Sequence, residues 1–192
     1  MQAKLNLILG MNLDIEYIMP AHGIIWKDYI ADIIETYKGI AAQKVENKAV
    51  IVYESVWKHT QQIAESLAEG FSDAGMDVKV YKLSDTKSSI VMREIMDAKV
   101  VCIGSGTYNN VMAPSVAAFL EHIRPCKFKN KKGLAFAAYG WFNQVAKEID
   151  TRMQQSGIES CHDVINQCYT PSDDQLEDYF NVAKEIAKNC QE

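Results

Sequence analysis

The chain has 192 residues, of which 48% are hydrophobic and 23% charged, and a formal net charge of −5. That length fits one full domain with about 40 residues to spare. The acidic balance argues against nucleic acid or an acidic membrane surface as a partner, and no apolar run approaches the roughly 20 residues that span a bilayer. The five cysteines (Cys102, Cys126, Cys161, Cys168, Cys190) are scattered without a CxxC pair, which points to reduced thiols and a cytoplasmic location. The opening MQAKLNLILG lacks a basic start and an A-x-A cleavage pattern, so no signal peptide is expected.

Residues 1–47 do not read as a domain. They hold an apolar segment (Leu5–Leu9), a strand-like stretch (Ile15–Met19) and a turn at Pro20-Ala21-His22-Gly23. After Asp28 the spacing of Ile30, Ile33, Ile34, Tyr37 and Ile40 predicts a helix with one apolar side. So few elements cannot close a core, and the segment reads as a short N-terminal extension.

From Lys48 onward strands and helices alternate, the signature of an α/β fold with a parallel sheet. Ala49–Tyr53 is an apolar run suited to a strand buried on both faces. A helix lined by Ile63, Ala64, Leu67, Ala68 and Phe71 follows and ends at Gly75, placed as a C′ glycine. Val78–Leu83 gives a second strand, Ser89–Met96 a short helix, and Lys99–Ile103 a third strand. Pro114 opens the next helix, with Val116, Leu120 and Ile123 inward. Gly133–Ala138 is a fourth strand; the helix after it carries Val145, Ile149 and Met153 and stops at Gly157. Val164 and Ile165 mark a weaker fifth strand. The last helix opens on Pro171-Ser172-Asp173-Asp174-Gln175, a capping-box pattern, and carries a stripe of Leu176, Tyr179, Phe180, Ala183 and Ile186. Five such units predict a three-layer, doubly wound, five-stranded parallel sheet. In that architecture ligands sit beyond the C-terminal strand ends where the strand order reverses.

Three segments fall on that rim. In Glu54–Thr60, Ser55 and Thr60 carry hydroxyls and the helix start supplies free N–H groups, a setting suited to phosphate; ordinary helix capping explains the same residues equally well. Gly104–Asn110 is rich in small and turn-forming residues that let backbone approach a planar ligand. Its Gly-Ser-Gly is no dinucleotide fingerprint, because the third glycine is missing. Tyr139-Gly140-Trp141-Phe142 places aromatics at a strand end, where a tryptophan can stack on a flat ring or serve as core. Together the three loops point to an aromatic ligand carrying a phosphate.

These motifs carry a resemblance. YESVWKHT at 53–60, GSGTYNNVMAP at 104–114, AYGW at 138–141 and YTPSDDQLEDYF at 169–180 resemble the flavodoxin-like domain of flavodiiron proteins, class A flavoproteins that reduce dioxygen or nitric oxide. MPAHGIIW at 19–26 is similar to the end of the metallo-β-lactamase-like domain that precedes the flavin domain in that family. The resemblance implies a flavodoxin-like domain over 48–192 binding flavin mononucleotide (FMN), and a remnant of the metallo-β-lactamase-like domain with a linker helix over 1–47. It makes Ser55, Val56, Trp57, Lys58, His59 and Thr60 the phosphate loop. Thr107, Tyr108 and Asn109 line the ring and ribityl region, and Tyr139, Gly140 and Trp141 cover the ring. This chain departs from the family pattern at Lys58-His59, where small residues are usual, at Phe142-Asn143-Gln144, where glycines are usual, and at Gly106, where proline is usual. The implied partners are a redox protein (rubredoxin-like, or a flavin reductase), a metallo-β-lactamase-like half and a second copy in a head-to-tail homodimer.

The resemblance also makes His22 the counterpart of an iron ligand. One histidine cannot hold a diiron pair, and Asp14, Glu16 and Asp28 do not restore the ligand pattern, so no metal site is expected. No GxSxG elbow or helix-start cysteine in a basic setting offers a nucleophile, so no catalytic residue is assigned. The expected function is electron transfer through FMN, without oxygen or nitric oxide reduction by this chain alone. The alternative is a non-catalytic interaction subunit or degenerate fragment that has lost its flavin, for which the departures at Lys58-His59 and Phe142-Asn143-Gln144 speak.

Overall fold

The structure, a computed structural model, describes residues 2–191. The chain divides into two compact units, Met1–Lys44 and Val45–Glu192.

The first unit has two helices, α1 (Gln2–Gly10) and α2 (Ile30–Ala42). The apolar segment Leu5–Leu9 lies within α1. The strand expected over Ile15–Met19 reduces to one antiparallel bridge, in which Ile18 and Trp26 exchange backbone hydrogen bonds of 2.9 and 3.0 Å around the Pro20–Gly23 turn. Two paired residues with no further neighbour do not make a ladder. Along α2, Ile30, Ile33 and Ile34 are half-buried while Tyr37 and Ile40 are exposed, and neither helix contains a fully buried residue.

The second unit runs β1 (Glu46–Glu54), α3 (His59–Asp73), β2 (Asp77–Lys82), α4 (Ser88–Met96), β3 (Ala98–Tyr108), β4 (Val111–Met112), α5 (Pro114–Ile123), β5 (Lys132–Tyr139), α6 (Val145–Gln155), β6 (Glu159–Ser160), β7 (Ile165–Cys168) and α7 (Asp173–Gln191). The sheet order is β2-β1-β3-β5, and the fifth position is filled by β6 and β7, both parallel to β5. The fifth strand is thus two short pieces with residues 161–164 between them, which is why only Val164 and Ile165 hint at it in the sequence. The pairing is parallel throughout except for β4, which folds back on the end of β3.

The alternation of β1 sends its side chains into two cores. Val50 and Val52 join Val91 and Ile95 of α4, Val116 and Leu120 of α5 and Ile149 of α6. Ala49 and Ile51 join Ile63, Leu67 and Phe71 of α3 and Ala183 and Ile186 of α7 on the other face. That gives three layers, with three helices on one side and two on the other of a sheet whose central strands are buried on both faces. The helix ends follow the sequence signals. Gly75 takes φ +79 after α3, and its N–H and that of Met76 close on Ser72 and Phe71 at 2.9 and 3.1 Å, the paired bonds of a Schellman stop. Before α7, Ser172 N–H donates to Gln175 Oε1 at 3.0 Å and Gln175 N–H to Ser172 Oγ at 3.3 Å, the reciprocal capping box.

Two further features hold the layers. Gly70 of α3 lies against α7, where a Cβ would collide with the Phe180 carbonyl oxygen. At the N-terminal edge of the sheet, Lys48 Nζ donates to Glu94 Oε2 at 2.7 Å and to Asp97 Oδ1 at 2.9 Å. Nearby, Lys131 donates to the carbonyls of Met96 and Ala98 at 3.0 and 2.9 Å, and its burial lowers its pKa to about 8.

Gly70→Ala is expected to lower unfolding free energy by about 1–3 kcal/mol in urea titration, the cost of overpacking against a backbone that cannot move aside. Glu94 gives a pH signature: its bonds to Lys48 and then Arg93 hold its carboxyl below the usual range. A depressed carboxylate contributes stability above its unfolded pKa and loses it as pH falls through the folded value. Glu94→Gln should therefore cost about 2 kcal/mol at pH 7, with the gap from wild type closing below pH ~4.

Candidate functional site

The strand order reverses between β1 and β3, so the chain leaves the C-terminal ends of these neighbours toward opposite faces and a cleft opens between the departing loops. Its volume is about 310 Å³. The loop after β1 lines it with Ser55, Val56, Trp57, His59 and Thr60; the end of β3 with Gly106, Thr107 and Tyr108; the end of β5 with Ala138, Tyr139, Gly140 and Trp141. Tyr169, just past β7, closes the wall. No carboxylate is among the lining residues, which suits an anionic ligand.

Thr60 is 1% exposed and Ser55 7%, yet neither hydroxyl has a hydrogen-bond partner among the described residues. No fully buried side-chain nitrogen or oxygen among those residues lacks a partner, so both hydroxyls keep a small accessible surface, and it opens on the cleft that they line. A ligand that seals the cleft has to satisfy them or lose about 1–3 kcal/mol for each. They flank the start of α3, whose N-cap residue, Lys58, makes no side-chain capping bond. The first-turn N–H groups of α3 therefore look for an acceptor from outside the helix. Ordinary capping by Ser55 or Thr60, equally open from the sequence, is not what these hydroxyls do.

A buried carboxylate holds the loops in place. Glu54, 7% exposed, accepts the N–H of Ser55 at 3.0 Å, the N–H of Ser84 at 2.9 Å and the hydroxyl of Ser115 at 3.2 Å. It thereby ties the phosphate-type loop to the end of β2 and the first turn of α5. Ser105, fully buried, donates to the Gly106 carbonyl at 2.7 Å and accepts the Ala113 N–H at 2.8 Å, closing the base of the second loop. Burial, and then the Glu54 charge, raise the Tyr108 pKa, so that phenol stays a neutral donor at physiological pH.

The rim is aromatic. Trp57 is 79% exposed and Trp141 82%, unusual for the two largest apolar side chains of a folded domain unless they await a partner. Trp141 Nε1–H donates to Asn110 Oδ1 at 3.2 Å, linking the second and third loops. A Cβ at Gly106 would sit in ordinary van der Waals contact with the Tyr108 ring at 3.5 Å and Thr60 Oγ1 at 3.7 Å.

Of the twelve residues expected at the site, ten line the cleft and two, Asn109 and Lys58, do not. Asn109 and Asn110 have φ of 47° and 71° and form the two-residue turn between β3 and β4, a place for asparagine in the left-handed region. Lys58 has φ 67° and turns the chain into α3 without joining the wall. Four further residues matter here without a site role assigned from the sequence: Gly106, Ala138 and Tyr169 on the wall, and the positioning residue Glu54. All four stand within the motifs that carry the family resemblance. An acid terminating an apolar strand is the one signal that points to Glu54.

A doubly wound domain with an anion-seeking helix start and an aromatic-rimmed cleft at its switch point has relatives among known proteins. The family model for flavodoxin matches residues 51–182, and the chain belongs to the flavodoxin family. It is 33% identical over 188 residues to the anaerobic nitric oxide reductase flavorubredoxin of Pectobacterium carotovorum, an alignment that covers 97% of this chain and 37% of that one. The rubredoxin:oxygen oxidoreductase of Desulfovibrio gigas superposes with a TM-score of 0.93 at 31% identity, over 98% of this chain and 48% of that one. The flavodiiron protein of Giardia intestinalis superposes with a TM-score of 0.90 at 26% identity, over 99% and 48%. The chain therefore corresponds to the flavodoxin-like part of flavodiiron proteins and spans less than half the length of these relatives. FMN is the cofactor that this membership implies. The cleft fits it: unpartnered hydroxyls and N–H groups for a phosphate, and exposed indoles for a flat ring.

Among the described residues no group of three or more His, Cys, Asp or Glu side chains is assembled that could hold a metal ion. His22 is exposed in the turn closed by the Ile18–Trp26 bridge. No described helix is long and apolar enough to cross a membrane.

Thr60→Val should leave thermal stability unchanged or slightly raised, because it removes a hydroxyl that has no partner among the described residues. The same variant should weaken FMN binding about tenfold, with riboflavin, which has no phosphate, affected less than about twofold. Flavin fluorescence titration measures both.

Proposed function

We propose that this chain is an FMN-binding electron-transfer domain, with Ser55, Thr60 and the start of α3 holding the phosphate and Trp57 and Trp141 flanking the ring. The observation that carries the reading is a pair of hydroxyls without partners among the described residues, on two otherwise buried residues, facing a cleft whose rim is two exposed tryptophans. Bound FMN supplies one- and two-electron redox chemistry. The protein's part is to bind, orient and tune: Glu54 keeps the loop from collapsing, Ser105 fixes the backbone approaching the ring, and Trp141, braced by Asn110, limits water at the ring face.

Electrons would come from a redox partner, a rubredoxin-like protein or a flavin reductase, and the names of the D. gigas and Pectobacterium relatives support a rubredoxin-type donor. They would leave for a metal centre in a metallo-β-lactamase-like half. The first unit, read as the remnant of such a half, supports that reading through its exposed Met19, Ile24, Ile25 and Tyr29, each at least 64% accessible. A head-to-tail homodimer would bring flavin and metal together, and the cytoplasm suits free thiols. Alone, the chain would pass electrons without reducing dioxygen or nitric oxide, because a single histidine, His22, is not a ligand set for a diiron pair.

The alternative, a flavin-free interaction subunit, draws on the bulk at Lys58-His59 and Phe142-Asn143-Gln144. Of these five residues only His59 lines the cleft, which favours the flavin-binding reading.

Purified protein is expected to take up one FMN per chain and to release it unmodified on denaturation, as absorbance and chromatography will read. With FMN and a reductase, oxygen consumption should not exceed the free-flavin background. Failure to take up added FMN would move the reading to the flavin-free subunit, and sustained oxygen turnover would contradict the assigned limit to electron transfer.

A further inference from the structure

His59 is the cleft residue that an ordinary phosphate loop does not require. It is the first residue of α3 and lines the cleft beside Thr60. Its Nδ1 lies 3.2 Å from the Thr170 hydroxyl, in the segment that carries Tyr169 to the opposite wall. That segment is fixed in turn by the Tyr169 N–H, which donates to the Tyr139 carbonyl at 2.8 Å. The imidazole is therefore held at both ends of a bridge: by the start of α3 on one side and by the strap before α7 on the other.

A threonine hydroxyl both donates and accepts. It can donate to the Nδ1 of neutral imidazole, or accept from Nδ1–H of imidazolium. The tie to Thr170 thus survives a change in protonation, with only the direction of the bond reversed, and Nε2 makes no hydrogen bond to the described residues. Histidine is the side chain that such a bridge can charge near neutral pH without moving it.

Resting on the FMN reading above, we infer that His59 is a proton-linked phosphate contact: it takes up a proton when a phosphomonoester enters the cleft, and Thr170 holds the ring in place as it does so. The bound dianion and the imidazolium then attract one another at the helix start. The titratable side chains that line the cleft with His59 are Tyr108, Tyr139 and Tyr169; Lys58 precedes it in the chain, and Asp173 and Asp174 follow Thr170 in the chain at the start of α7. The cleft lining itself contributes no carboxylate to compete with the ligand.

The consequence is a dependence on phosphate and pH that neutral ring stacking does not produce. FMN should bind more tightly relative to riboflavin at pH 6 than a phosphate loop lacking the histidine allows. The test follows the His59 imidazole resonances by NMR from pH 5 to 9 in the free protein, with saturating riboflavin and with saturating FMN. The expected result is a titration midpoint raised by about one pH unit with FMN and unmoved by riboflavin. In parallel, FMN and riboflavin affinities are measured against pH for wild type, His59→Gln and Thr170→Val. His59→Gln should lower FMN affinity about fivefold to tenfold at pH 6 and less than about twofold at pH 8.5, leaving riboflavin unchanged at both. Thr170→Val should retain part of the midpoint shift, because the charge remains while the ring is freed. Comparison with His59→Gln cancels the phosphate's own second ionisation near pH 6. Equal midpoints with the two flavins, or an equal loss of affinity at both pH values, would overturn the inference while leaving FMN binding intact. No FMN uptake by wild type at any pH would overturn both the inference and the reading beneath it.

Discussion

The cleft depends on β1 being hydrogen-bonded on both edges, to β2 and β3, and buried on both faces. Ala49, Val50, Ile51 and Val52 are fully buried, so this strand cannot slip by one residue without exchanging the contents of the two cores. With β1 fixed, its last residue is fixed too, and that residue is a carboxylate. Burying a charge is tolerable only when it is fully hydrogen-bonded, and Glu54 is satisfied only if Ser55, Ser84 and Ser115 come to it. The need to satisfy one buried anion thus sets the course of the loop after β1, the end of β2 and the entry to α5. The shape of the cleft follows from a constraint in the floor of the sheet.

The same logic explains why the start of α3 remains hungry for an acceptor. The residue that turns the chain into the helix is Lys58, in the left-handed region with φ 67°, where glycine is the unstrained choice and other residues cost about 1 kcal/mol or more. That geometry gives a physical reason for the small residues that the resemblance implies at this turn. A lysine accommodates the turn at some strain and, unlike Ser, Thr, Asp or Asn, brings no side-chain acceptor to cap the N–H groups behind it. Lysine at this turn therefore leaves those N–H groups without a side-chain cap, and its bulk falls outside the cleft wall.

Much of this is legible in the residues. The two-faced burial of Ala49–Tyr53, the Gly75 stop and the Ser172–Gln175 box are local signals, and the fold reproduces each of them in place. The three rim loops converge because topology, not sequence proximity, brings them together, and the alternation of strands and helices is enough to imply it. Three things are not legible. A strand interrupted by residues 161–164 leaves pieces too short for a periodicity. Asn109 belongs to a hairpin turn whose existence depends on β4, two residues long and without a pattern of its own. Tyr169 reaches the wall because the β5–β7 pairing carries it there and its N–H bonds the Tyr139 carbonyl, a contact 30 residues away in sequence that no local signal records.

On the proposed reading, the hydroxyls of Ser55 and Thr60, without partners among the described residues, and the indoles of Trp57 and Trp141 are two ends of one ligand site. A crystal structure of the protein grown with FMN tests it most directly. The phosphate should lie within hydrogen-bond distance of both hydroxyls and the α3 N–H groups, with the ring between the two indoles. An FMN bound elsewhere, or a cleft that stays empty at saturating FMN, would rule out this single site.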